Sequence, residues 1–96
     1  MSIYKPSRPD AEALAIVALG WLAADGERLG RFLALTGLEP SEIRQIAGEP
    51  GFLGAVLDHL LKDETELQAF AADQGIDPAT VAQARSRLPG ASDIHS

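Results

Sequence analysis

The chain contains no cysteine, only five aromatic side chains, and no uncharged stretch longer than the twelve residues from Ala13 to Ala24. Without cysteine there can be no disulfide, thiolate nucleophile or thiolate metal site, and the composition suits a reducing compartment. A bilayer-spanning helix needs about 20 apolar residues, so the twelve-residue run reads as a buried core helix. Lys5 and Arg8 before it, with Ala23 and Ala24 after it, resemble a secretory signal. Asp10 and Glu12 lie flush against the run, however, and Pro6 and Pro9 precede it, which argues for the core helix. Basic residues are scarce too: eight Lys and Arg stand against fourteen acids, a net charge of −6. That balance favours solubility and opposes unaided binding to nucleic acid or an anionic membrane.

The composition is that of a globular protein, 46% hydrophobic and 23% charged, and the length fits one domain. An ordered core over about 8–88 is expected, with loose tails at 1–7 and 89–96. Strand signals are absent and helix punctuation is dense. Ser7 followed by Asp10 is a capping box that opens a helix over about 9–24. Asp25 caps a second helix over 26–36, stopped by Gly37. Pro40 opens a third over 40–47 and Pro50 a fourth over 50–62. Asp63 with Glu66 reads as another capping box, for a fifth helix over 64–74 that Gly75 stops. Asp77 and Pro78 open a sixth over 78–88.

A shift of 38 residues lays the chain on itself. Leu19 meets Leu57, Leu22 meets Leu60, Asp25 meets Asp63, and Leu29 meets Leu67. Phe32 meets Phe70, Ala34 meets Ala72, Gly37 meets Gly75, Pro40 meets Pro78, and Gln45 meets Gln83. These are the caps, core positions, glycine stops and proline starts of a three-helix unit. The expected fold is therefore an all-α six-helix bundle built from two three-helix repeats, about 12–49 and 50–87. The copies differ in character. Ile16 faces Gly54, Gly20 faces Asp58, and Leu35 faces Asp73. Helix one is apolar nearly all round and reads as the central buried helix. Helix four carries a polar face with Asp58 and Lys62. The first copy is thus expected to be the more enclosed, within the domain or against a partner.

The segment from Asp25 through Gly26, Glu27, Arg28, Leu29, Gly30, Arg31 and Phe32 to Gly37 resembles the hallmark of a small bacterial family, domain of unknown function 3572 (DUF3572). Segments starting at Phe52 and Phe70 are similar to its second half, and the resemblance covers roughly residues 10–88. It implies a short, all-helical, cytoplasmic protein of alphaproteobacterial type with no assigned activity, and no catalytic residue to carry over.

Chemical candidates are few. His59 adjoins Asp58 and lies one turn before Asp63, but a Ser-His-Asp relay also needs a positioned nucleophile, and no G-x-S-x-G turn is present. The plainer reading is a surface histidine among helix-end carboxylates. His59 and Asp63 could share a metal, yet structural zinc takes four ligands and catalytic zinc three. His95 sits in the tail. Gly48, Gly51, Gly26 and Gly30 match no phosphate-loop spacing; Gly30 reads as a site of close helix approach. Small helices leave little room for a pocket of about 300 Å³, near the lower limit for ligands. No catalytic, cofactor or metal site is expected, and the protein reads as non-enzymatic.

Two binding readings remain. Residues 66–88 resemble a helix-turn-helix around Gly75, with Ala79, Thr80 and Gln83 on the second helix and Arg85 and Arg87 at its end. DNA readers present Arg, Asn or Gln to bases and basic groups to phosphates, and here Asp73 and Asp77 would face the phosphates. Glycine stop, short loop and proline start produce the same pattern in any helical hairpin. The favoured reading is an interaction or adaptor module. Arg28, Arg31 and Leu35 form one stripe on helix two, where the second copy has Glu66, Ala69 and Asp73. Arginine beside an apolar neighbour suits an anchored protein contact; the alternative is that the arginines pair internally, with Glu27, Asp63 or Glu66, and Leu35 is core. Trp21 reads as core. The partner is an unidentified protein, not nucleic acid or membrane, and the chain is expected as a monomer or weak homodimer.

Overall fold

The computed structural model describes residues 7–89, which form six helices and no strand. These are α1 (Arg8–Ala23), α2 (Gly26–Thr36), α3 (Pro40–Ile46), α4 (Pro50–Lys62), α5 (Glu64–Gln74) and α6 (Pro78–Arg85). The tails expected at 1–7 and 89–96 lie outside the described residues except for Ser7 and Pro89. The boundaries follow local chemistry. The Asp10 amide donates to Ser7 Oγ and the Ser7 amide to an Asp10 carboxylate oxygen, both at 3.2 Å, which completes the capping box. Asp25, Asp63 and Asp77 each accept amide hydrogens from the first turn of the helix that follows. Gly37 and Gly75 end α2 and α5 with φ of +75° and +68°, conformations that a side chain resists. One expected cap is half formed. Asp63 caps α5, but Glu66 turns its carboxylate toward α2 instead of back to the Asp63 amide.

The core joins Leu22 of α1, Phe32 of α2, Leu53, Val56, Leu57 and Leu60 of α4, Phe70 of α5 and Val81 of α6, all essentially inaccessible to water. Burying each large side chain contributes about 1.5–3 kcal/mol. α4 packs against α1, α5 and α6, and α1 packs against α2, α4 and α6. α3 makes only sparse contact, with Ile43 and Ile46 half-buried at the core margin.

This arrangement corrects the expected centre. α4, not helix one, is the most enclosed element, with seven buried residues. α1 buries a stripe of Ala11, Ala15, Ala18 and Leu22 and leaves its opposite side in solvent. An apolar run marks a helix that can be buried all round; how many neighbours surround it is decided elsewhere in the chain. The polar side of α4 is in part engaged: Arg85 of α6 pairs with Asp58, while Lys62 stays exposed.

Ring contacts join the halves. Trp21 of α1 meets Phe70 edge-on at 5.4 Å, and His59 of α4 meets Phe32 edge-on at 5.1 Å. The 38-residue offset exchanges these two contacts. The third helices differ: α6 packs on α1, α4 and α5, whereas α3 stands apart.

Candidate functional site

The α2 stripe lies one turn apart along a helix capped by Asp25, and its three members have separate fates. Arg28 packs its guanidinium over the Trp21 ring, 4.1 Å from the centroid, a cation–π contact. It also approaches Asp25 at 3.5 Å and Glu66 Oε1 at 3.3 Å. Arg31 donates to Glu66 Oε2 at 3.3 Å. Glu66, 7% exposed, thus receives both arginines and ties α5 to α2. Leu35 is 71% exposed and belongs to no core. The internal alternative therefore holds for the arginines, through Glu66, and fails for Leu35.

Trp21 is half-buried, and its indole N–H donates to Asp73 at 2.7 Å. No sequence pattern pointed to this pair, which is 52 residues apart. His59 is not the surface histidine expected. It is 8% exposed, its Nε2 has no hydrogen-bond partner, and burial holds its pKa below the ordinary 6.5 against the pull of Glu66 and Asp63. The Phe32 ring covers it from α2.

Large exposed hydrophobic side chains among the described residues are Ile16 at 53%, Val17 at 45% and Leu35. All three belong to the α1–α2 hairpin. Around Ile16 and Val17, the exposed side of α1 continues through Ala13, Gly20, Ala23 and Ala24 without a charge. Its apolar character was legible; its exposure was not. Gly30 is also open to solvent, and a Cβ added there would meet no atom within 4 Å, so it serves no close approach.

The DNA candidates on α6 divide in the same way. Arg85 is buried, gripping Asp58 through two hydrogen bonds of 2.7 and 3.1 Å and donating to the Leu88 and Pro89 carbonyls. It is not available to a phosphate; Arg87 is exposed. The guanidinium crosses α4 over Gly54, where a Cβ would lie 2.7 Å from Nη1. That glycine had no assigned purpose in the sequence. Between α1 and the start of α6, Leu14, Ile76, Asp77 and Thr80 line an open groove of about 410 Å³. This exceeds the pocket size expected of small helices. No three His, Cys, Asp or Glu side chains converge to hold a metal among the described residues, and no described helix is long and apolar enough to cross a membrane.

A family model described as "Protein of unknown function (DUF3572)" matches residues 8–91. No curated protein and no solved structure matches the chain.

Proposed function

The chain belongs to the DUF3572 family, and from that premise we propose that it is a cytoplasmic, non-enzymatic interaction module whose α1–α2 hairpin receives a protein partner. One observation carries the reading: Ile16, Val17 and Leu35 are exposed on this hairpin in a chain of net charge −6. The outward side of a helix in a water-soluble domain is normally polar, and exposed apolar patches mark contact sites.

The internal offset adds support. Gly54 and Asp58 of α4 align with Ile16 and Gly20 of α1. α6 covers the first pair through Arg85, whereas the second pair faces solvent. A short partner helix with an apolar face, playing the part on α1 that α6 plays on α4, fits this surface. Leu35 and the partly exposed Arg31 lie on α2, the second helix of the hairpin. α1 is 16 residues long, about 24 Å, so two copies pairing through α1 alone would fall short of the ~800 Å² per partner typical of stable complexes. The chain is then a monomer or weak homodimer.

Val17→Glu and Leu35→Glu, made separately, test the reading. Each should shift stability by less than about 0.5 kcal/mol while removing the partners recovered from the native host by affinity purification and mass spectrometry. Partner recovery unchanged in both variants would place the interface elsewhere.

A further inference from the structure

The groove of about 410 Å³ between α1 and the start of α6 is lined by two apolar side chains, Leu14 and Ile76, and two polar ones, Asp77 and Thr80. Leu14, Ile76 and Thr80 are half-buried, and Asp77 is exposed. Asp77 gives Oδ1 to the Ala79 amide at 2.9 Å, and its second oxygen takes no part in that cap. An occupant that matches this lining has an apolar body and a hydrogen-bond donor at its tip. Tyrosine and tryptophan are the side chains built this way. The one tryptophan of the chain, Trp21, already donates to Asp73. The one tyrosine is Tyr4.

We propose that Tyr4 seats in this groove, with residues 1–6 turned back along α1 so that the Tyr4 hydroxyl donates to Asp77. The register of α1 brings the segment to the right place. Ser7 caps α1, and Leu14 follows it by seven residues, two turns on. The two residues therefore share a face, about 10 Å apart along the axis. A chain that leaves from Ser7 starts on the face that borders the groove. Tyr4 precedes Ser7 by three residues, a reach of about 10 Å when extended, and its side chain adds to that.

Charge agrees with this path. Asp10 lies between Ser7 and Leu14 on the same face and is exposed. Lys5, next to Tyr4, brings the opposite charge to it. The far end of the chain is a poorer match. Residues 90–96 hold no aromatic side chain, and Asp93 beside Ile94 would set a like charge against Asp77.

The seating does not depend on the α1–α2 reading above, and its test needs no partner. In the full chain, the Tyr4 ring protons are unambiguous by NMR because no other tyrosine is present. They should show NOEs to the Leu14 and Ile76 methyl groups at pH 7. Tyr4→Ser should shift those methyl signals and leave the Leu35 methyls unmoved. Asp77→Ser keeps a capping oxygen but loses the second one, and should weaken the Tyr4 contacts. Tyr4 signals with no contact to either methyl group overturn the proposal, as do Leu14 and Ile76 signals that ignore Tyr4→Ser. Contacts undiminished by Asp77→Ser overturn the hydroxyl bond. An equal mixture of isotope-labelled and unlabelled chains separates one copy from two: contacts between labelled and unlabelled chains would put a second copy's Tyr4 in the groove and overturn the turned-back segment.

Discussion

Gly54 is the clearest residue-scale test of how tightly side chains decide this fold. Alanine normally stabilises a helix over glycine by about 0.5–1 kcal/mol. At Gly54 the added methyl would meet the Arg85 guanidinium at 2.7–3.1 Å, and that group is pinned by Asp58 and two carbonyls. Overpacking of this kind costs about 1–3 kcal/mol. Gly51, one turn earlier on the same helix, is open to solvent. Urea unfolding should therefore show Gly54→Ala less stable than the parent and Gly51→Ala equal to it or more stable. Equal shifts for both would mean that Arg85 moves aside freely. His59 makes a second prediction with a definite sign. Burial lowers its pKa in the folded chain, so between that lowered value and 6.5 the unfolded chain binds the proton more readily. Stability is then flat above 6.5 and falls as pH drops below it. His59→Leu should flatten that slope in urea titrations at pH 7 and pH 5, and an unchanged slope would assign the acid sensitivity to carboxylates.

At the scale of elements, what the sequence made legible was whatever is decided within one turn of chain. Ser7, Asp25, Asp63 and Asp77 cap the helices they precede, and Gly37 and Gly75 stop the helices they follow. The caps depend on a side chain and amides two or three residues away, and the stops on a glycine's left-handed backbone bonded to a carbonyl one turn back. Gly75→Ala should accordingly cost about 1 kcal/mol, since alanine resists φ of +68°; a thermal melt unchanged by the substitution would mean the helix end simply refolds as right-handed. Which helix lies at the centre was not legible. α1 has the longest apolar run, yet α4 is enclosed, because α5 and α6 both return to α4 while α3 leaves the outward side of α1 open. That outcome depends on where distant helices land. The Trp21–Asp73 pair belongs to the same class, since it depends on α1 meeting α5; Arg28–Glu66 was open as one of three internal pairings, and the packing of α2 on α5 chose it. The stripe of Arg28, Arg31 and Leu35 was correctly placed on one helix, while the division between two bound arginines and one exposed leucine came only from the packing.

For the whole molecule, charge decides between surfaces. Reversing Arg28 and Arg31 together to glutamate reads, from sequence alone, as a mild surface change. With Glu66 nearly buried between them, the double variant would leave that carboxylate facing two more; because the arginine side chains are 29% and 48% exposed, the loss stays below the roughly 3–5 kcal/mol that breaking a fully buried pair costs. The melting temperature should fall steeply, and a near-parental melt would show that Glu66 can escape to solvent. The same distribution governs nucleic acid. Each half carries six acids against three bases. On α6, Arg85 is consumed by Asp58, while Asp73 and Asp77 are exposed on either side of the Gly75 turn. Of the two arginines that follow that turn, Arg87 is the one left to meet a phosphate. Phosphate contacts strengthen as salt falls, by nearly one power of salt concentration for each contact, so titration of labelled duplex DNA at about 50 mM salt is the most permissive condition. No binding should be seen at micromolar protein. Sub-micromolar binding that Arg87→Ala removes would show that one exposed arginine and the α6 amides suffice against the surrounding acids, and would make the hairpin around Gly75 a DNA-binding element.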